Sequence, residues 1–210
     1  MNTKKLAAAA AAAVLTLGLT ACGDDSAGDA ADDTKVEHTA PNGDVFNDAD
    51  VAFATQMIPH HAQALAMVDL TSGRDLSPEV QKLTEDIRAA QGPEIEQMVD
   101  WLTAWDEPVP ETMRDHANAE DHGMSGHDMG DGSDMPGMMS DEEMSDLEAT
   151  RGAAFETRWL EMMIEHHEGA IEMAQQELDD GAFEPAKELA TSIETSQQAE
   201  IDHMKDLLGS

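Results

Sequence analysis

The stretch Met57-Ile58-Pro59-His60-His61 recurs as Met163-Ile164-Glu165-His166-His167, and the offset of 106 residues holds without a gap to the end of both copies. Phe53 pairs with Trp159, Ala64 with Ala170, Met67 with Met173 and Ile87 with Ile193. Further on, Gln91, Glu94, Ile95, Met98 and Leu102 pair with Gln197, Glu200, Ile201, Met204 and Leu208. A duplication constrains the fold strongly, because whatever one copy forms the other is expected to form as well. Each copy is too short to bury a substantial core alone, so the two are expected to pack on each other.

Within a copy the pattern is helical. Phe53, Met57, His60, Ala64 and Met67 are spaced by three and four residues, which lays one stripe along a helix. Tyrosine is absent, β-branched residues are sparse, and Ala, Leu, Met, Glu and Gln dominate both repeats. Asp48 or Asp50 is expected to cap the first helix and Gly73 to end it. Ser77-Pro78 reads as an N-cap followed by proline at the first helical position. The second helix then carries the stripe Val80, Leu83, Ile87, Gln91, Glu94, Met98 and Leu102. The second copy predicts a helix from about Ala153 to Leu178, a turn at Asp180-Gly181 and a last helix from about Glu184 to Leu208. The expected fold class is all-α, a four-helix bundle of two repeated hairpins, 48–106 and 140–210, with pseudo-twofold symmetry. Pro59 and Pro93, where the second copy has Glu165 and Ala199, are expected to bend or locally open their helices near His60.

Lys4 and Lys5 ahead of an alanine-rich apolar run form a secretion leader too short for a permanent membrane span. Leu19-Thr20-Ala21-Cys22 resembles a bacterial lipobox. Residues 1–21 are therefore expected to be a lipoprotein signal peptide, leaving Cys22 acylated. The domain would be lipid-anchored to the cell membrane on its extracytoplasmic side, at the cell surface or in the periplasm. Residues 22–47, rich in Gly, Ala, Asp and Ser, read as a flexible tether. With a single cysteine, disulfides cannot stabilise the domain and thiolates cannot be its metal ligands.

Removing the leader takes Lys4 and Lys5 from 11 basic residues, leaving 9 against 45 acidic ones and a formal charge of −36. Such a field repels nucleic acid and anionic lipid heads and attracts cations. Most of these carboxylates are expected on exposed helix faces, where they keep an exported protein soluble.

Neighbouring residues on a helix differ by about 100°, so His60 and His61 cannot both face the bundle axis. One is expected inward beside Met57 and Ala64, the other toward a neighbouring helix or solvent. A thioether with imidazoles suits copper, Cu(I) above all. Gln91, Glu94, Gln197 and Glu200 interrupt the apolar stripes, and buried polar groups need partners. A His–Glu or His–Gln hydrogen bond tying two helices would satisfy them without any metal. The segment between the repeats favours the metal. Residues 107–139 carry His116, His122, Met124, His127 and Met129, then Met135, Met138 and Met139, among glycines and aspartates that rule out a core. This reads as a disordered Met/His-rich loop with labile metal sites. Ser140 and Glu143 then form a capping-box pattern that opens a short helix.

Phe-x-x-x-Met-Ile-x-His-His-x-x-Ala-x-x-Met, followed by Gln-x-x-Glu-Ile-x-x-Met, resembles the domain-of-unknown-function 305 family, over about residues 48 to 208. The resemblance implies exported, ferritin-like helical bundles, some of them associated with copper binding and copper tolerance. Its motif positions fall on Met57, His60, His61, Met67, Gln91, Glu94 and Met98. In the second copy they fall on Met163, His166, His167, Met173, Gln197, Glu200 and Met204. Pro93 and His203 lie outside the pattern.

The expectation is a non-enzymatic copper-binding lipoprotein of the cell envelope that sequesters, buffers or delivers Cu(I) or Cu(II), with a protein partner for metal transfer as a further possibility. Its candidate ligands are Met57, His60, His61, Glu94, Met98, Met163, His166, His167, Glu200, His203 and Met204 in the bundle, with His116, His122, Met124, His127 and Met129 in the loop. The alternatives are a metal-free envelope scaffold or stress protein, and a di-iron or di-manganese oxidase. The oxidase needs Glu-x-x-His on two helices, and only Glu200 to His203 has that spacing.

Overall fold

The computed structural model of the chain describes residues 36–112 and 135–209. These residues are mostly helical, with five helices and one small two-stranded sheet among them. In chain order they are β1 (Glu37–Thr39), β2 (Val45–Asn47), α1 (Asp48–Asp69), α2 (Pro78–Trp105), α3 (Asp141–Ala149), α4 (Ala153–Asp180) and α5 (Glu184–Leu208). No helix among the described residues is long and apolar enough to cross a membrane. Helix α1 packs against α2, α4 against α5, and α1 against α4, so each copy is a helical hairpin and the first helices of the two copies meet.

The helix ends follow local chemistry, with two departures from expectation. Asn47, not Asp48 or Asp50, caps α1. Its side chain accepts from the backbone of Ala49 and Asp50, while Asp50 Oδ2 accepts from the Asn47 amide at 2.6 Å. Asp50 is also drawn across the molecule, where it accepts from the amides of Ala182 and Phe183. Helix α1 stops at Asp69 with Leu70 as C-cap, ahead of Gly73, which takes φ +71° in the turn that follows. Ser77 and Ser140 cap α2 and α3 as expected, Ser140 through a reciprocal box with Glu143. Pro59 and Pro93 lie inside α1 and α2, which run on through them. Proline leaves a helix carbonyl without its donor, so packing rather than backbone bonding holds the helix there.

Residues 37–47, assigned above to a flexible tether, form the antiparallel pair β1–β2 with His38 opposite Phe46. The hairpin is pinned by aromatic contact. Phe46 stacks on Trp105 at 4.5 Å, and Trp105 meets Phe183 edge-on at 5.2 Å. Residues 135–139 likewise depart from the expected disordered loop: they lie against α1 and α4, and Met139 is buried.

The core consists of two apolar clusters. One gathers Phe53, Met57 and Ile58 of α1 with Met98, Leu102 and Trp105 of α2, Ala170 and Met173 of α4, and Leu189 and Ile193 of α5. The other gathers Met67 of α1 with Leu83 and Ile87 of α2, Phe155, Trp159 and Met163 of α4, and Ile201 and Met204 of α5.

Candidate metal centre

The two clusters are separated by polar residues on all four long helices. On α1 the break falls at His60 and His61, on α2 at Gln91, on α4 at His166 and His167, and on α5 at Gln197. These six side chains are at most 2% exposed, and the four histidines are completely buried. A polar layer therefore crosses the middle of the helical core.

Helical spacing turns the paired histidines in different directions. His61 Nε2 donates to Glu94 Oε2 on α2 at 2.8 Å. Its repeat partner His167 donates in the same way to Glu200 Oε2 on α5 at 2.7 Å. His60 and His166 face each other, with ring centroids 3.8 Å apart and planes inclined by 38°. His60 Nε2 donates to the Pro136 carbonyl at 3.1 Å, which places its hydrogen on Nε2.

The opposite nitrogens have no protein partner. Nδ1 of His60, His61, His166 and His167 is buried without a hydrogen bond, as are Nε2 of His166 and both amide atoms of Gln91. Each such atom costs about 1–3 kcal/mol when nothing satisfies it. Burial, reinforced by the neighbouring His61, lowers the His60 pKa to about 3. Burial, reinforced by His60 and His167, also holds His166 well below the usual imidazole range. Both rings are therefore neutral at physiological pH, which keeps ring lone pairs available. An imidazole that donates one N–H to a carboxylate or carbonyl, leaving its other nitrogen free, is oriented as a metal-bound histidine is oriented. The donor set therefore fits a borderline or soft cation. Among the described residues, no group of three or more His, Cys, Asp or Glu is already arranged around a cation position. The layer supplies donors rather than a finished cage.

The other expected ligands are distributed differently. Met57 and Met98 lie in one apolar cluster and Met163 and Met204 in the other, all completely buried. Glu94 and Glu200 are hydrogen-bonded to His61 and His167. His203 is exposed. Its neighbour Met204 points into the core, and one residue of helix turns His203 about 100° away, so the structure does not bring it to the layer. His116, His122, Met124, His127, Met129 and Cys22 lie outside the described residues. The reading of the sequence missed Pro136, whose carbonyl bonds to His60, and Gln63 and Gly169, which contact the same short segment. The one available signal was the mismatch of Gln63 with Gly169 at equivalent repeat positions.

The family model described as domain of unknown function (DUF305) matches residues 50–208. Among solved structures, the chain is similar to a DUF305 protein from Streptomyces coelicolor described as secreted. The identity is 34% over 77% of this chain and 92% of that one, with a TM-score of 0.64. It is also similar to a DUF305 fragment from Deinococcus radiodurans, at 29% identity over 82% and 99% of the two chains and a TM-score of 0.64. CopM in its Cu(II)-bound form matches at 28% identity over 76% and 95%, with a TM-score of 0.59. CopM has also been solved in Cu(I)-bound and Ag-bound forms. No functionally curated relative matches the chain.

Proposed function

The chain belongs to the DUF305 family, and from that premise we propose that it is an extracytoplasmic copper-binding protein that sequesters, buffers or delivers Cu(I) or Cu(II) without catalysing a reaction. The observation that carries this reading is the buried layer of four imidazoles whose Nδ1 atoms have no partner. His60, His61, His166 and His167 supply the nitrogens, and Glu94 and Glu200 orient His61 and His167. Met57, Met98, Met163 and Met204 supply thioethers from the adjoining clusters. The copper- and silver-bound forms of CopM support the choice of metal. We read the two hairpins as a pseudo-twofold, ferritin-like four-helix bundle. Cys22 is its lipid anchor, the Met/His-rich segment is a capture loop, and delivery implies an accepting protein.

Two hydrogen bonds favour a second reading, a metal-free envelope scaffold. His61–Glu94 and His167–Glu200 tie helices together whether or not an ion is present. The oxidase alternative loses support, because the one Glu-x-x-His pair ends in the exposed His203.

Titration calorimetry of the mature chain with Cu(I) and Cu(II) separates these readings. The His60→Gln/His166→Gln variant, checked for its helical circular dichroism, is expected to lose the tightest site and most of the thermal stabilisation that copper gives. Unchanged stoichiometry and affinity in that variant would remove the histidine layer from the copper site, and a parent chain that takes up no copper and gains no thermal stability from it would leave the scaffold reading standing.

A further inference from the structure

Positions 63 and 169 are equivalent in the repeat, yet one holds glutamine and the other glycine. Both touch the same short segment. Gln63 Nε2 donates to the Met139 carbonyl at 2.7 Å, and its Oε1 accepts from the Met139 amide at 2.8 Å. On the opposite side, a Cβ at Gly169 would stand 2.0 Å from the Pro136 carbonyl oxygen and 2.7 Å from the Gly137 amide. Gly137, at φ +71°, is itself pressed against the Glu165 carbonyl and Gly169. The same Pro136 carbonyl accepts from His60 Nε2. The segment therefore spans from α4 to α1 across the face of the histidine layer. It makes His60 and His166 unequal, for the Pro136 carbonyl bonds to His60.

We propose that residues 135–139 are a latch over the layer, that Gln63 and Gly169 position it, and that copper enters and leaves on the His60 side when the Pro136 carbonyl lifts away. The proposal rests on the copper reading above for its cargo, and on geometry alone for the latch. Glycine inside a helix costs about 1 kcal/mol relative to alanine, and close backbone approach is the reason a helix accepts it. Gly169 has that reason, because no side chain fits beneath Pro136. The latch is held by the two Gln63 bonds, the His60 bond and the buried Met139 side chain. A segment held by so few contacts opens at a lower free energy than the helices it covers. The Pro136 carbonyl also fixes the hydrogen of His60 on Nε2, so Nδ1 is presented to the layer while the latch is closed.

The test is the rate at which diethyl pyrocarbonate modifies His60 in the full mature chain, mapped by mass spectrometry. It is followed by the rate at which Cu(I)-loaded protein surrenders its metal to a chelator. Gly169→Ala removes the room for the latch, and Gln63→Leu removes both bonds to Met139. Gly92→Ala, a helical glycine with nothing near its would-be Cβ, is the control. Both latch variants are expected to raise the His60 modification rate about tenfold, the order that one or two lost hydrogen bonds would give. Copper release should accelerate by a similar factor with stoichiometry unchanged, and the control should match the parent. If Gly169→Ala proves unable to fold, Gln63→Leu carries the comparison alone. Unchanged His60 reactivity in the folded latch variants overturns the latch. Faster modification with unchanged copper release overturns the gating role. Faster modification in a protein that binds no copper leaves the latch intact and removes the copper reading.

Discussion

Glu177 shows what burial does to a single group. It is 1% exposed near the end of α4. Burial first, and then the neighbouring Asp50 carboxyl, push its pKa from 4.5 up to about 9; Asp180 adds to the effect and Lys187 opposes it. The folded chain keeps a proton that the unfolded chain gives up above about pH 4.5, so between there and about pH 9 the folded state binds more protons. Stability must then fall as pH rises through that window. Glu177→Gln, which imitates the protonated carboxyl, is expected to melt higher than the parent at pH 8 and to converge with it toward pH 4.5. Parallel melting curves for the two proteins across the range would count against a buried, protonated Glu177. Nothing in the sequence marks this carboxyl among 45 acidic residues. Its partner Asp50 lies in another helix, and only folding sets the two side by side. The paired histidines were legible because their repetition is visible in the chain. The directions in which they turn needed Glu94, Glu200 and Pro136 in place.

Among the elements, local signals read well and competing ones did not. Ser77 before Pro78, and Ser140 three residues before Glu143, cap α2 and α3 because each motif is complete within a few residues. At the start of α1, Asn47, Asp48 and Asp50 are all good caps. The choice falls on Asn47, whose Nδ2 also reaches the Asp180 carbonyl at 2.8 Å. Asn47→Ala removes the cap and this cross-link together, and is expected to cost about 1–2 kcal/mol in urea unfolding. A loss well under that range would mean Asp48 takes over. The β1–β2 hairpin had its own signal in Pro41-Asn42-Gly43, with Gly43 at φ +95°. The Gly- and Asp-rich composition around it pointed to a tether, and the hairpin holds because Phe46 finds Trp105.

For the whole molecule, the α1–α2 and α4–α5 hairpins also meet through α1 and α4. Trp159 of α4 is completely buried, and its Nε1 donates to the Met67 carbonyl of α1 at 2.9 Å. That carbonyl lies in the last turn of α1, where helix carbonyls lack their own donors. Trp159→Phe is expected to cost about 2–3 kcal/mol through the orphaned carbonyl and the lost volume, measured by urea unfolding. The equivalent residue of the first copy is already Phe53, so the ring type is tolerated at this repeat position and the hydrogen bond should account for much of the loss. By itself the sequence determined the helices, the caps of α2 and α3, and which side chains interrupt the apolar stripes. Each of these follows from spacing and chemistry within a few turns of one helix. Tertiary structure alone decided that the interruptions of all four helices fall at one level, that the Pro136 carbonyl reaches His60, and that Gly169 rather than a second Gln63 lies beneath the covering segment. Those are contacts between residues tens of positions apart, and local sequence patterns carry no distance across such a gap.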